Sequence, residues 1–268
     1  MSADTAPQDA AGLRARAFRP DWRMRAIWAG FAVYVVYAAG QLNFTWDRFV
    51  IGLDRGAVFL GRMFPPEFAR WQLLAEGLLE SLQIAVIASA VGILLSLPIG
   101  LMAARNLMPV FVTVPARALI ALARSFHPII VAIIFVKAIG FGPLAGIFAL
   151  ILGSIGFVAK LFAEAIEEIS LKQVEAVRAT GASFMGVVIM GVLPQVLARF
   201  IGFSTYQLDS NLRNSTMVGI VGGGGIGGTL FAAFQRFDYD FVAAILICII
   251  AMIMAGELIA TWLRKTFQ

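Results

Sequence analysis

Glu175 to Pro194, EAVRATGASFMGVVIMGVLP, is a short polar island between long apolar segments. Ser170, with Gln173 three residues on, has the pattern of a capping box, in which the serine accepts from an early backbone N–H and the glutamine reaches back. A helix is therefore predicted from Leu171, carrying Lys172, Glu175 and Arg178 along one side, with Gly181 as its stop. A helix of about ten residues is too short to hold its shape alone in water, so it needs a surface to lie against. The stretch reads as a docking element.

The surroundings of that island are membrane-like. The chain has 268 residues, 60% hydrophobic and only 14% charged, against roughly 25% charged in ordinary soluble domains. Its apolar runs are too long and too numerous for one globular core. The net charge of +5 does not point to nucleic acid, because the basic residues flank apolar runs and form no patch with interleaved aromatics. Cys248 has no partner for a disulfide and reads as packing. His127 is the single histidine, which disfavours a transition-metal site of the usual ligands. About 25 polar residues precede the first apolar run and no small-residue cleavage site follows it, so that run is expected to stay as an anchor.

Taken in order, residues 1–24, with Arg14, Arg16, Arg19 and Arg23, read as a cytoplasmic tail. Residues 25–77 hold the first span, 25–43, with Trp28, Tyr34 and Tyr37, and a mixed, partly helical outer loop over 44–71. The core, 78–268, has spans at about 78–103, 115–139, 143–162, 194–221 and 241–263, with the third interrupted by His127-Pro128. A cytoplasmic loop over 164–194, opened by Glu164, Glu167 and Glu168, separates the fourth and fifth spans, and 222–240 form an outer connection. Arg264 and Lys265 follow the last span. The expectation is an all-α polytopic membrane protein with six transmembrane helices and both termini cytoplasmic.

An ionisable side chain at membrane depth is costly, so it faces a cavity, a partner or an interface. Asp209 and Arg213, at i and i+4 on the fifth span, satisfy one another. Two readings stand for them: a pair that fixes the helix, or part of a substrate path together with Gln207, Asn211, Asn214 and Ser215. Arg124 and Lys137 suit an anionic cargo, and equally suit the helix end and a snorkelling side chain. His127, beside Pro128, reads as a kink residue with no carboxylate near it in sequence. Gly222 to Gly228, GGGGIGG, lacks the Gly-Lys-Ser/Thr of a P-loop and follows no strand, so it reads as a tight bend and no ATP site is found. With only Asp209 deep and no Ser-His-Asp set, an intramembrane enzyme is the remote alternative.

Glu175-Ala176 followed by Gly181, and then by Gly191-Val192-Leu193-Pro194, resembles the EAA signature of the membrane subunits of ABC importers. Val177 replaces the second alanine of the pattern and Gly191 stands where the pattern has isoleucine. Residues 78–268 resemble the permease subunit of phosphonate importers, a family that also handles phosphite and hypophosphite. Four stretches carry this: Arg124 to Pro128, Gly140 to Gly146, Lys160 to Glu168, and Asn211 to Gly227.

The resemblance implies the type I ABC importer permease fold in a bacterial inner membrane. It implies a homodimer, two ATPase subunits engaged through Glu175, Ala176, Arg178, Gly181, Leu193 and Pro194, and a periplasmic substrate-binding protein. ATP and Mg would be bound by the partner ATPase, with no cofactor on this chain and no nucleic-acid partner. Phosphonate is the expected cargo, with phosphite, hypophosphite or an amino acid such as methionine as alternatives; the candidate path is Arg124, His127, Lys137, Gln207, Asp209, Asn211, Arg213, Asn214 and Ser215. A metal cargo is disfavoured by the lack of paired carboxylates, histidines and cysteines.

Overall fold

The computed structural model describes residues 22–41 and 45–267. The chain divides into two units, residues 1–61 and 62–268. The first contains α1 (Trp22–Gln41) and α2 (Trp46–Gly61), neither of which buries a side chain within the chain. The expected tail lies outside the described residues up to position 21. The partly helical loop expected after the first span contains all of α2.

The second unit runs α3 (Trp71–Ala103), α4 (Val110–Ser125), α5 (Pro128–Ile139), α6 (Pro143–Glu167) and α7 (Leu171–Ala179). It continues with α8 (Phe184–Val187), a π-helical turn over Val188–Val192, α9 (Leu193–Ile220), α10 (Ile226–Gln235) and α11 (Tyr239–Phe267). Among the described residues four helical stretches are long and apolar enough to cross a membrane, and up to six crossings result if each bent pair, α1–α2 and α4–α5, is one span.

The bundle is built on α3 against α6. One stripe of α3, Ser81, Ala85, Ala88, Gly92, Ser96, Gly100 and Ala103, is small and buried. It packs along α6, where Gly92 faces Ser154, Gly100 faces Ala159, and Ala103 shares a buried cluster with Ala159 and Ala163. Small residues let helix backbones approach closely where lipid supplies no hydrophobic force between helices. The approach is tight: a Cβ added to Gly92 would stand 2.5 Å from Ser154 Cβ, and one added to Gly100 would stand 2.7 Å from Phe162.

α9 closes on this pair through a buried polar knot. Asn211 Nδ2 donates to Ser89 Oγ of α3 at 2.9 Å and to Ser154 Oγ of α6 at 2.8 Å. Gln207 Nε2 donates to Ser154 Oγ at 3.0 Å and to Asn211 Oδ1 at 2.9 Å. Ser154 then donates to the Leu150 carbonyl at 2.7 Å, which uses its hydroxyl fully.

Three expectations need correction. The third span starts ahead of Pro115, at Val110, and its expected interruption at His127-Pro128 is a bend of 91° between α4 and α5. The reason is Pro128, which occupies the first turn of α5 and holds His127 in extended backbone (φ −70, ψ 140). Both halves still pack along α6, with Arg124 over Gly156 and Pro128 against Gly153. The connection after α9 is not merely a bend, because it contains α10, where Ile226, Gly227, Leu230 and Ala233 are buried. Gly227 is fixed by crowding, since a Cβ there would lie 1.9 Å from the Thr216 carbonyl oxygen. Finally, α3 begins at Trp71, ahead of residue 78; at about 50 Å it is longer than the hydrocarbon layer and projects from it.

At the end where α3 begins, Arg70 donates to Glu67 at 2.8 Å and Asp238 at 3.2 Å and lies over the Phe241 ring at 3.8 Å. The Glu67 hydrogen bond, and then that to Asp238, raises the guanidinium pKa against the lowering effect of burial.

Replacing Asn211 by leucine removes its three hydrogen bonds to neighbours on α3, α6 and α9. The expected cost is roughly 1 kcal/mol, at about 0.6 kcal/mol for each of the two interhelical bonds in membrane proteins, read as a lower unfolding midpoint of the full chain in detergent. A midpoint equal to the parent's would mean that small-residue packing alone holds the three helices.

Candidate functional site

α7 forms as the sequence predicts, and Gly181 follows it with φ +79, the left-handed backbone that suits glycine after a helix end. Its polar face is free: Lys172, Gln173, Glu175, Ala176 and Arg178 are exposed, and Val174 is buried to 1%. Val174 packs in one apolar cluster with Ala104 after α3, Phe162 and Ile166 of α6, Val187 of α8, Val192 of the π turn, and Val196 of α9. Val174, with the half-buried Val177 beside it, thus sets the short helix onto the ends of three long ones. Burying a valine contributes about 1.5 kcal/mol or more, which answers the instability of a nine-residue helix.

The expected capping box does not form. Ser170 makes no side-chain cap bond; its backbone N–H donates instead to Gln195 Oε1 at 3.0 Å. Gln195 Nε2 donates to the Gly191 carbonyl at 2.6 Å. A glutamine on α9 therefore ties the start of α7 to the π turn, a tertiary link that outcompetes the local one. A polar residue one position after Pro194 was the only trace of it in sequence.

The two departures from the EAA pattern face each other. A Cβ placed on Gly191 would stand 3.4 Å from Val174 Cα and 3.6 Å from Val177 Cγ2. The branched Val177 therefore fills room that Gly191 leaves. Around this junction Arg117 joins Glu167 at 2.6 Å and the Ala103 carbonyl at 2.9 Å. Arg199 of α9 pairs with Glu168 at the end of α6.

The polar residues of α9 divide into two sets. Gln207, Ser210, Asn211 and Asn214 line a cleft of about 180 Å³ with Pro128, Phe157 and Tyr206, whose aromatic rings stack at 5.3 Å. Both amide hydrogens of Gln207 and of Asn211 are used within the knot. Ser215 is fully buried and donates to the Leu212 carbonyl. Ser210 and Asn214, linked at 3.3 Å, remain half-buried at the cleft.

On another side of α9, Arg213 Nη2 reaches Asp209 Oδ2 at 2.6 Å, with the arginine side chain 57% exposed and the aspartate 12% exposed. Asp209 Oδ1 is buried without a hydrogen-bond partner. The remaining candidates stand apart. Arg124 is exposed in a different cleft, His127 caps α5 through Nδ1 with Ile129 N–H at 3.4 Å, and Lys137 is exposed in the last turn of α5. Sequence reasoning missed Val174, Gln195, Ser89, Ser154 and the Arg117–Glu167 pair; beyond the place of Gln195 after Pro194, the serines carried a signal in the small-residue spacing along α3 and α6. No cluster of histidine, cysteine or carboxylate groups suited to a metal is found among the described residues.

Replacing Gly191 by isoleucine should crowd Val177 and lower the unfolding midpoint by an overpacking cost of about 1–3 kcal/mol. Adding Val177→Ala should recover most of that loss, a coupling read in a double-mutant cycle. Additive losses would break the proposed volume exchange.

Residues 96–268 match the family model described as the binding-protein-dependent transport system inner membrane component. The phosphite transport system permease PtxC of Stutzerimonas stutzeri is 38% identical over 91% of this chain and 88% of its own length. The phosphate-import permease PhnE of Mycolicibacterium smegmatis is 41% identical over 83% of this chain, and the match spans 41% of that longer protein. The inward-facing MetNI methionine ABC transporter has a chain that superposes with a TM-score of 0.66 at 24% identity, covering 75% of this chain and 99% of that one. The long apolar helices, the docked α7 and the match over α4 to α11 lead to one conclusion: the chain belongs to the family of inner-membrane components of binding-protein-dependent ABC transport systems, and is a membrane permease component, not an enzyme.

Proposed function

We propose that this chain is the permease of an importer for a small phosphorus oxyanion, phosphonate first, driven by a separate ATPase subunit. The observation that carries the coupling half is α7: its exposed polar face, Glu175, Ala176 and Arg178, opposes a buried Val174 fixed among α3, α6 and α9. A displacement of α7 is then delivered to the ends of three long helices at once. The Gln195 clamp and the π turn make the link from α7 to α9 continuous. ATP and Mg stay on the partner chain.

The α7 end is assigned to the cytoplasm. Arg105, Arg117, Lys172, Arg178 and Arg199 lie there, as the preference for basic residues inside requires. The partners are a second copy of this chain, two ATPase subunits and an external binding protein.

The cargo reading rests on relatives named for phosphate, phosphite and phosphonate transport. All three anions share a tetrahedral phosphorus with charged oxygens. Of the α9 polar residues, Ser210 and Asn214 at the cleft and the exposed fork of Arg213 are the groups left to meet such an anion in passing. A methionine importer is the second reading, supported by relatives such as the Vibrio cholerae MetI, 30% identical over 90% of its length.

The deciding experiment is ATP hydrolysis by the assembled complex in liposomes, with the binding protein loaded in turn with phosphonate, phosphite, phosphate or methionine. Stimulation by a phosphorus oxyanion is expected; stimulation by methionine alone would overturn the cargo. Glu175→Lys, which reverses charge on the exposed face of α7, should abolish stimulated hydrolysis while the chain still inserts, and normal coupling would remove α7 from that role. Arg213→Gln, which can still donate to Asp209, should cut phosphonate uptake about tenfold or more, a loss of about 1.4 kcal/mol or more, with little change in unfolding midpoint. Full uptake would return the pair to a purely structural role.

A further inference from the structure

Beside the α7 junction, α3, α4 and α6 enclose a second cleft of about 160 Å³, lined by Ala103, Arg117, Ile120, Arg124, Lys160 and Glu164 among others. Its charge is unbalanced. Arg117 is paired with Glu167 and Lys160 with Glu164 at 3.4 Å, whereas Arg124 has no hydrogen bond or ion pair among the described residues. Its stem lies over Gly156, which fixes the base of the side chain against α6. Arg117 and Arg124 are two helical turns apart on α4, so both heads fall along one side of that helix.

The remainder of α4 points to what fills the cleft. Val110, Phe111, Val114 and Leu122 are exposed, from 59% to 78%, so an apolar face stands beside a cationic edge. A helix with apolar residues on one face and arginines at its margin lies in the membrane interface. Basic pockets between transmembrane helices on the cytoplasmic side take anionic head groups.

We infer that the cleft between α4 and α6 is a binding site for the phosphate head group of an anionic phospholipid, held by Arg124 and Lys160, with its acyl chain along the exposed apolar face of α4. This rests on the cytoplasmic placement of the α7 end proposed above and is independent of the cargo. Arg124 supplies the uncompensated charge. Lys160 is free to exchange its long contact with Glu164 for the phosphate.

The test is native mass spectrometry of the full chain in mild detergent, titrated with phosphatidylglycerol or with phosphatidylcholine of the same acyl chains. Arg124→Gln and Lys160→Gln should each weaken phosphatidylglycerol binding about fivefold and leave phosphatidylcholine unchanged. In the unmutated chain, phosphatidylglycerol should also protect Lys160, and not the exposed Lys172, from amine acetylation. Unchanged phosphatidylglycerol binding in both variants, or an absence of selective protection at Lys160, overturns the site. Displacement of the lipid by millimolar inorganic phosphate, with the same protection, overturns the lipid as occupant and makes the cleft a soluble-anion site.

Discussion

The bundle depends on how closely α3 and α6 approach one another. In hydrocarbon there is no solvent to drive apolar helices together, so attraction must come from contact between backbones and from hydrogen bonds. Small residues provide the contact, Gly92 against Ser154 and Gly100 against Ala159 and Phe162. That closeness in turn sets the place of α9, because Ser89 and Ser154 come near enough for one asparagine to bridge them. Gln207 and the Leu150 carbonyl complete the knot, so the amide hydrogens of both side chains and the Ser154 hydroxyl all find partners in a medium where an unmet one is expensive.

The same geometry explains how a nine-residue helix is held in place. α7 has one buried side chain, and the apolar cluster around it is assembled from the converging ends of α3, α6 and α9. Motion of α7 cannot be absorbed by a flexible linker at its start, where Gln195 grips Ser170 and Gly191. At the other side, the exchange of volume between Val177 and Gly191 brings the π turn against α7. π turns are infrequent and occur often at functional positions; this one lies where α7 meets the long helix that carries the polar cleft.

Much of the site was legible residue by residue. α7, its stop at Gly181, the polar face of α9 and the interruption at His127-Pro128 follow from local chemistry, which acts over a few neighbours. The polar residues of α9 were less legible, because a polar side chain on a membrane helix has two uses that look alike in sequence. Gln207, Asn211 and Ser215 have their donors occupied inside the bundle, while Ser210, Asn214 and Arg213 retain accessible groups. Arg124 and Asn211, grouped by composition, line different clefts, since the 91° bend between α4 and α5 separates their surroundings.

The sequence by itself determined the solvent, the helical class and the short polar helix α7 with its stop at Gly181, because apolar length and helix-end chemistry are properties of contiguous residues. Only the tertiary structure decided which polar groups are spent on holding helices together, that Gln195 replaces the capping box, and that a helix with one buried face follows the glycine turn. Those outcomes depend on partners far apart in the chain, such as Asn211 with Ser89 and Ile226 N–H with Ser81 Oγ at 2.9 Å. No local pattern carries the distance between them; close packing of α3 on α6 sets it.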